Sequence, residues 1–208
     1  ISIMIRLYAR MIPVEMTVFH GTCSAHRRSI EECGLDPDKT QYSEQHWLGQ
    51  GLYFFEETSK AQWWATNISR KYPDSFVLIY QALIKAPTNR VLNLDNSCEL
   101  DAFCTEIADC LRQPSQGSSG KQPILSMDMG RAVFLDYYKK KHDIAVTIYT
   151  FEKEYAGYTR PRSREDLELQ KKLLQKLHIK HHEKQICVSD KTVIQNTQLY
   201  YDEEEEIL

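Results

Sequence analysis

Two short stretches of the 208-residue chain carry the residue types that ligand sites use. The first places His20 directly before Gly21 at the end of an apolar run. An imidazole can exchange hydrogen bonds there, and the backbone of a glycine can be approached closely. The second stretch, 49–54, reads GQGLYF, and the adjacent aromatic rings of Trp63 and Trp64 follow it. Together these residues form a polar and aromatic cluster.

Each of these residues also has a plain structural role open to it. A His before a Gly is typical of a turn, and Gly49 and Gly51 could serve a tight turn. Tyr53, Trp63 and Trp64 could be core aromatics. Their joint order, with a strand, a helix, a loop, a second strand and a second helix, is much harder to obtain by chance.

A possible acid–base group lies near the C-terminal end of the chain. Glu183 and Gln185 stand two residues apart, so on a strand they project from the same face. A carboxylate can take up a proton and stabilise a cation, whereas an amide can only exchange hydrogen bonds.

The elements that must position these groups follow from hydrophobic periodicity and turn residues. Residues 58–68 carry apolar side chains at helical spacing, and 75–84 is typical of a strand buried on both faces. We expect Ser24, Thr58 and Ser163 to cap helices. The pattern predicts strands at 16–20, 52–55, 75–84, 90–94, 145–151, 185–189 and 192–194, with helices at 24–34, from 58, from 97, at 126–141 and at 163–177. This order favours a single α+β domain over 1–208, with a flexible loop at 113–123 and a solvated acidic tail at 202–208.

Composition limits the class of protein. The 26 Lys and Arg against 29 Asp and Glu give a net charge of −3, which implies no general affinity for nucleic acid. No apolar run approaches the roughly 20 residues of a membrane span. The six cysteines form no CxxC pair, which suits a reducing compartment. Residues 1–13 are apolar but contain Arg6 and Arg10, so they make a poor signal peptide. We expect a cytoplasmic protein.

Two apparent motifs do not support a site. The segment 117–122, GSSGKQ, has too few residues between its glycines for a phosphate loop and lacks the Ser or Thr that would bind magnesium. His178, His181 and His182 have metal-ligand spacing, but only Glu183 could complete their set. A solvated basic loop is the better interpretation, and we expect no metal.

The stretches around His20 and Tyr53 resemble the ADP-ribosyltransferases of the His-Tyr-Glu class, the branch of diphtheria toxin and the poly(ADP-ribose) polymerases. That family has a His-Gly-Ser/Thr strand end, a Gly-x-Gly-Ile/Leu-Tyr-Phe strand and a helix that opens near Ser-Lys-Ser/Ala. The resemblance covers 18–65 closely and returns at 185–190, while the middle of the chain agrees only in the order of elements. It implies a split mixed β-sheet core flanked by helices, and NAD as co-substrate.

The resemblance also implies roles for the matching residues. Cleavage of the nicotinamide–ribose bond develops positive charge on an oxocarbenium-like sugar, as in glycoside hydrolysis. His20 would bind the adenosine ribose, and Thr22 the neighbouring ribose or amide. The backbone of Gly21 would hold the carboxamide, and Tyr53 would stack on the pyridinium ring with Trp64 as the opposite wall. The other positions implied to bind NAD are Gly51, Ser59 and Ala61.

The sequence departs from the family pattern at the residue that should be glutamate. Gln185 stands where the resemblance implies a carboxylate that steadies the cationic ribose. Three explanations remain open: Gln185 is natural in a variant or weakened enzyme, Glu183 takes the carboxylate role in a shifted register, or Gln185 is a deliberate exchange. We favour a deliberate exchange, because replacing Glu by Gln inactivates such a site while keeping its shape.

The acceptor of ADP-ribose is predicted from local charge. In the family the loop before the final strand commonly faces the acceptor, and here it is basic through Lys176, Lys180, His181, His182 and Lys184. A positive patch favours RNA or DNA, although a solvated turn explains the same charges. The resemblance further implies a bacterial toxin or antiviral defence effector held in check by an inhibitory protein partner. The alternatives are a protein-modifying transferase, a NAD glycohydrolase, and an inactive fold-mate that binds NAD or ADP-ribose.

Overall fold

A computed structural model of the chain describes residues 12–41, 46–112, 127–153 and 163–207. The loop predicted at 113–123 and residues 1–11 of the apolar N-terminal segment lie outside these ranges. The strands are β1 (Val14–Cys23), β2 (Leu52–Phe54), β3 (Val77–Ala86), β4 (Val91–Asn93), β5 (Val146–Lys153), β6 (His181–Val188) and β7 (Ile194–Asp202). The helices are α1 (Arg27–Cys33), α2 (Thr58–Ser69), α3 (Ser97–Arg112), α4 (Met127–His142), α5 (Arg164–Lys176) and α6 (Glu203–Ile207). The predicted mixture of helices and strands is confirmed.

The strands form two sheets. The first has the order β1-β3-β7 and is antiparallel throughout. The second has the order β2-β6-β5-β4, in which only the β4–β5 pair is parallel. Phe19 of β1 and Phe55, directly after β2, join the sheets, because each donates its backbone N–H to the other's backbone oxygen, over 2.8 and 2.9 Å.

Three apolar clusters hold the sheets together. Alternate residues of β3, from Leu78 to Ile84, pack with Phe54 and Ile186 of the second sheet. The other face of β3, with Val77 and Ile79, packs against α2, so β3 is buried on both faces as predicted. The third cluster covers the outer face of the second sheet and contains Leu48, Tyr53, Leu92, Leu94, Leu135, Ile144, Phe151 and Cys187.

Two of the three predicted helix caps are wrong. Ser24 lies in a 3₁₀ turn (Ser24–His26) before α1, and its hydroxyl accepts from the backbone N–H of Phe76 instead of capping the helix. Glu57, not Thr58, precedes the first turn of α2, and its side chain makes no capping bond. Ser163 does cap α5, because its hydroxyl accepts from the N–H of Asp166 over 3.1 Å.

The C-terminal part of the chain differs most from the prediction. His181–Lys184 are not a solvated loop, because they extend β6 and pair with β5 from Lys153 to Thr150. A 3₁₀ turn (Lys191–Val193) replaces most of the strand predicted at 192–194, and β7 begins only at Ile194.

The acidic tail is not a plain solvated end. Asp202 is buried and forms an ion pair with Arg27. Glu203 begins α6 and accepts from the backbone N–H of Val77 over 2.8 Å. Both contacts join residues more than a hundred positions apart, so local charge could not reveal them.

Across the described ranges, every helix falls short of the length and apolarity that crossing a bilayer requires.

Candidate functional site

His20 connects the two sheets. Its Nδ1 donates a hydrogen bond to the backbone oxygen of Tyr53 over 2.8 Å, and its ring centre lies 5.6 Å from that of Phe54. Burial lowers the pKa of His20 to about 4, so its imidazole is neutral near pH 7. A carbonyl oxygen can only accept, so Nδ1 carries the proton and Nε2 keeps a lone pair. A ligand at Nε2 must therefore donate a hydrogen bond, as a ribose hydroxyl does.

Gly21 follows His20 at a place where β1 touches α2. A Cβ on Gly21 would overlap the carbonyl oxygen of Ala61, so only glycine allows this close approach. Phe19 directs its N–H and C=O towards Phe55, and strand alternation gives the peptide groups of Gly21 the same direction. The backbone of Gly21 therefore faces the junction between the sheets, where it can meet an amide.

Thr22 is less available than the sequence suggests. Its side chain is buried, and its hydroxyl is hydrogen-bonded to Nδ1 of His26 over 2.9 Å. Burial lowers the pKa of His26, whose Nε2 lies 3.3 Å from the hydroxyl of Tyr72. A ligand would have to displace His26 to reach the Thr22 hydroxyl.

Tyr53 is held by the loop that precedes β2. Its hydroxyl accepts from the N–H of Leu48 over 2.7 Å and donates to the oxygen of Gly49 over 2.9 Å. Burial raises the pKa of Tyr53, so the phenol is neutral. Its ring lies 5.2 Å from that of His46, and only 9% of the residue is exposed. Little of this ring is open to stack on a ligand in this conformation.

The loop glycines serve the turn itself. Gly49 has a φ of +79° and Gly51 a φ of +155°, which other residues rarely adopt. A Cβ on Gly51 would also collide with the backbone of Val188. Their role here is conformational, and Gly51 contributes to a ligand site only by letting β2 lie against β6.

A buried lysine that sequence reasoning missed fixes this loop. Lys139 of α4 is 5% exposed, and its Nζ donates to the backbone oxygens of Leu48 and Gln50 over 3.2 and 2.7 Å. It is also 2.8 Å from the carboxylate of Asp136, which accepts from the N–H of Gln50. The partners are mostly backbone atoms about 90 positions away, so no local pattern signals them.

The first turn of α2 links β1 to β6. Ala61 is fully buried against Gly21. The next residue back, Lys60, is also buried and donates from Nζ to the backbone oxygen of His182 over 2.8 Å, with Glu57 at 3.0 Å. Ser59 is half-buried, and its hydroxyl lies 3.5 Å from the Glu57 carboxylate. Lys60 is the second positioning residue that the sequence did not single out.

Trp64 belongs to a different cluster from Tyr53. Its ring lies 6.3 Å from that of Phe55 and 6.1 Å from that of Trp63, against the outer face of the first sheet. Tyr53 packs on the outer face of the second sheet. The structure therefore does not place the two predicted ring walls in one cluster, and Phe55 packs with Trp64.

Glu183 and Gln185 project from the same face of β6, as predicted. They are 3% and 5% exposed, and Gln185 donates from Nε2 to Oε1 of Glu183 over 2.6 Å. Cys187 continues this face and pairs in register with Tyr53 of β2. Burial raises the pKa of the Cys187 thiol to about 11, which leaves Glu183 as the buried carboxylate on this face, with the half-buried His181 two residues before it.

A cation faces the Glu183 carboxylate from β5. Lys153 Nζ lies 3.7 Å from Oε1 of Glu183 and 3.4 Å from the ring centre of Trp47. Burial lowers the pKa of Lys153, and the charge of Glu183 opposes that shift. Arg131 lies 5.5 Å from the same indole. A buried carboxylate requires a partner of this kind, because an isolated buried charge is costly.

Two of the five basic residues that were expected to meet the acceptor are neutralised. Lys180 lies 2.8 Å from Glu152, and Lys184 lies 2.9 Å from Glu56. His182 and Lys176 are exposed, and burial lowers the pKa of His181. The prediction of a nucleic-acid acceptor stays a prediction, resting on a smaller positive charge than the sequence implied.

A cavity lies beside Gln50 and Gly51, and its lining includes neither His20 nor Glu183. It has a volume of about 640 Å³ and lies at the C-terminal end of β6, near Gly51 and Ser189. Some of its charges are paired, because Arg90 lies 2.9 Å from Asp143 and 2.8 Å from Asp190. In the described part of the chain, no group of three or more His, Cys, Asp or Glu side chains is placed to hold a metal ion.

Comparisons with protein-family models, with curated proteins and with solved structures give no match to this chain.

Proposed function

We propose that the protein is a NAD-dependent ADP-ribosyltransferase whose site lies at the junction of β1, β2, α2 and β6. The observation that carries the proposal is the 2.8 Å hydrogen bond from His20 to the backbone of Tyr53. It brings the His-Gly-Thr end of β1 against the Gly-Leu-Tyr-Phe strand, which are the two motifs that resemble the family. The same end of β1 supplies a neutral imidazole and the backbone of a glycine.

Each group has a role that its chemistry supports. The lone pair on His20 Nε2 accepts from a hydroxyl of the adenosine ribose. The N–H and C=O of Gly21 match the C=O and NH₂ of the nicotinamide carboxamide. The aromatic face of Tyr53 would stack on the pyridinium ring after a local rearrangement that exposes it, whereas Trp64 packs in a separate cluster and forms no opposite wall in this conformation.

Glu183 is the better candidate for the catalytic carboxylate. As the C–N bond between ribose and nicotinamide breaks, its electron pair leaves with nicotinamide and the sugar becomes cationic. A carboxylate stabilises that cation, whereas the Gln185 amide cannot. Gln185 and Lys153 hold the Glu183 carboxylate in place at 2.6 and 3.7 Å. The acceptor nucleophile then bonds to the same carbon and loses its proton.

One observation favours a second function, binding of NAD or ADP-ribose without turnover. Glu183 is only 3% exposed and is already engaged by two side chains, so it is shielded from a substrate in this conformation. A NAD glycohydrolase differs from the transferase only in using water as acceptor.

The test combines calorimetry with NAD and chromatography of released nicotinamide. We expect the wild-type protein to bind NAD and release nicotinamide. His20→Ala should weaken binding at least tenfold, and Glu183→Gln should abolish release while binding persists. His142→Gln, which changes a histidine paired with Glu106 on α3, is the matched control. Binding without release would select the second function, and no binding would exclude both.

A further inference from the structure

Helix α5 carries an apolar row that the rest of the described chain leaves uncovered. Leu169, Leu173 and Leu177 are 68%, 53% and 55% exposed, and Ile179 in the following turn is 55% exposed. Residues four apart lie on one face of a helix, so the three leucines form a continuous ridge.

A neighbouring side of α5, about a third of a turn from the ridge, is partly covered. Leu167 and Leu174 are half-buried, whereas no residue of α5 is fully buried. A helix that only covers a domain shows a polar outer face. Because α5 is apolar on two sides, its outer ridge requires a separate explanation, and contiguous exposed apolar surface is typical of interaction sites.

The positive charge beside the ridge indicates which kind of partner would bind there. A groove of about 540 Å³ runs along it, lined by Leu169, Lys172, Leu173, Gln175, Lys176 and His178. Within the described chain, Lys172 and Lys176 form no ion pair. Acidic side chains at four-residue spacing on a partner helix would meet both ammonium groups while its apolar face met the leucines.

We infer that this groove docks an acidic amphipathic helix of a protein partner. Glu165 and Asp166, in the first turn of α5, do not line the groove, so acidic side chains of the partner would meet Lys172 and Lys176. The turn after α5 leads within four residues to His181, the first residue of β6, which carries Glu183. A four-residue turn therefore joins the docking surface to the strand that carries Glu183; only the partner's role as acceptor or inhibitor rests on the proposed function.

The probe is a fluorescein-labelled synthetic helix of about 18 residues, long enough to be marginally helical in water, with leucines at four-residue spacing flanked by glutamates. We expect anisotropy to show saturable binding that weakens as salt rises from about 0.05 to 0.5 M. A peptide with lysines in place of the glutamates should bind at least tenfold more weakly.

Variants test the two halves of the groove separately. The pair Leu169→Gln and Leu173→Gln, and the pair Lys172→Glu and Lys176→Glu, should each weaken binding at least tenfold. Leu111→Gln, at a leucine of α3 that is 58% exposed, should leave it unchanged. Thermal melts identify any variant that fails to fold, and the charge-swapped peptide tests the wild-type protein without substitution.

Several results would overturn the inference. These are equal binding of both peptides, no binding of the acidic peptide, binding that survives both pairs of substitutions, and preferential binding to vesicles of phosphatidylcholine and phosphatidylserine. Self-association through the leucines, measured by sedimentation, would assign the ridge to a second copy instead. Peptide binding requires no NAD, so its failure is distinct from failure of the proposed function.

Discussion

Gln185 donates from Nε2 to Oε1 of Glu183 over 2.6 Å, so the residue aligned with the family's glutamate serves another carboxylate two positions away. Both side chains are buried, and Lys153 lies on the other side of that carboxylate oxygen. The arrangement supports the explanation in which Glu183 supplies the charge and Gln185 positions it.

The exchange Gln185→Glu tests this division of roles. It would place two carboxylates about as close as the present 2.6 Å contact. We expect a loss of about 2 kcal/mol in the free energy of unfolding at pH 8, because like charges repel in a buried site. The loss should shrink towards pH 5 as the introduced carboxyl takes up a proton. Urea unfolding at the two pH values measures it, and Glu152→Gln is the control at an exposed carboxylate on β5.

The same variant separates two explanations of Gln185. With Glu183 as the catalytic carboxylate, nicotinamide release should not rise in Gln185→Glu. A rise by orders of magnitude would instead place the catalytic carboxylate at position 185 and support a deliberate exchange. An equal loss of unfolding free energy, relative to the wild type, at both pH values would contradict the close contact itself.

The contact between Lys153 and Glu183 is testable without NAD. The charge of Glu183 opposes the effect of burial on Lys153, so Glu183→Gln should lower the pKa of Lys153 further. Titration of a ¹³C-labelled lysine side chain by NMR measures the change. The raised pKa of Lys141, which pairs with Glu106 on α3, should be the same in the variant and the wild type. An unchanged Lys153 titration would show that the two groups are not in contact in solution.

The environment of His20 predicts the pH dependence of stability. Its folded pKa is about 4, below the ordinary value of 6.5, so the unfolded chain binds more protons between these limits. The contribution of His20 to the free energy of unfolding is therefore fully present above about pH 6.5. It is lost as the pH drops towards 4, and the loss is on the order of 3 kcal/mol. Comparing the wild type with His20→Asn isolates this contribution. A difference that stays constant from pH 7 to 4.5 would contradict it.

Ligand binding, unlike the free energy of unfolding, should be insensitive to mild acid. Because His20 stays neutral down to about pH 5, NAD affinity should be flat between pH 8 and 5.5. Calorimetry across this range measures it. A midpoint near 6.5 would show an ordinary exposed imidazole at the site.

The close approach of β1 to α2 predicts the effect of a single methyl group. Gly21→Ala would drive a Cβ into the carbonyl oxygen of Ala61, so we expect a loss of about 3 kcal/mol or more. Gly130→Ala is the control, because a Cβ there meets only the Phe134 ring edge at 3.9 Å on α4. That change should be neutral or stabilise by up to about 1 kcal/mol. Chemical denaturation compares the two, and equal effects would contradict the packing at Gly21.

Local pattern predicted the elements around the site well. The run into His20, the strand at Tyr53 and the apolar spacing of α2 all depend on neighbours in sequence. The structure adds that Gly21 is required by packing against Ala61 as much as by any ligand.

Long-range contacts explain what the sequence did not reveal. β7 is an exposed edge strand with little apolar alternation, so only its pairing with β3 defines it. Three lysines resemble ordinary surface lysines in sequence: Lys60, Lys139 and Lys153. Each nevertheless contacts a partner at least 30 residues away, and Lys139 also pairs with its helix neighbour Asp136. Such tertiary contacts leave no periodic signal.

The most direct test is the release of nicotinamide from NAD by the wild-type protein and by Glu183→Gln, with NAD binding measured on both. We expect release by the wild type, a decrease of about 100-fold or more in the variant, and NAD affinity within about threefold of the wild type. Failure of the folded wild-type protein to bind NAD would contradict a dinucleotide site at the junction of the two sheets.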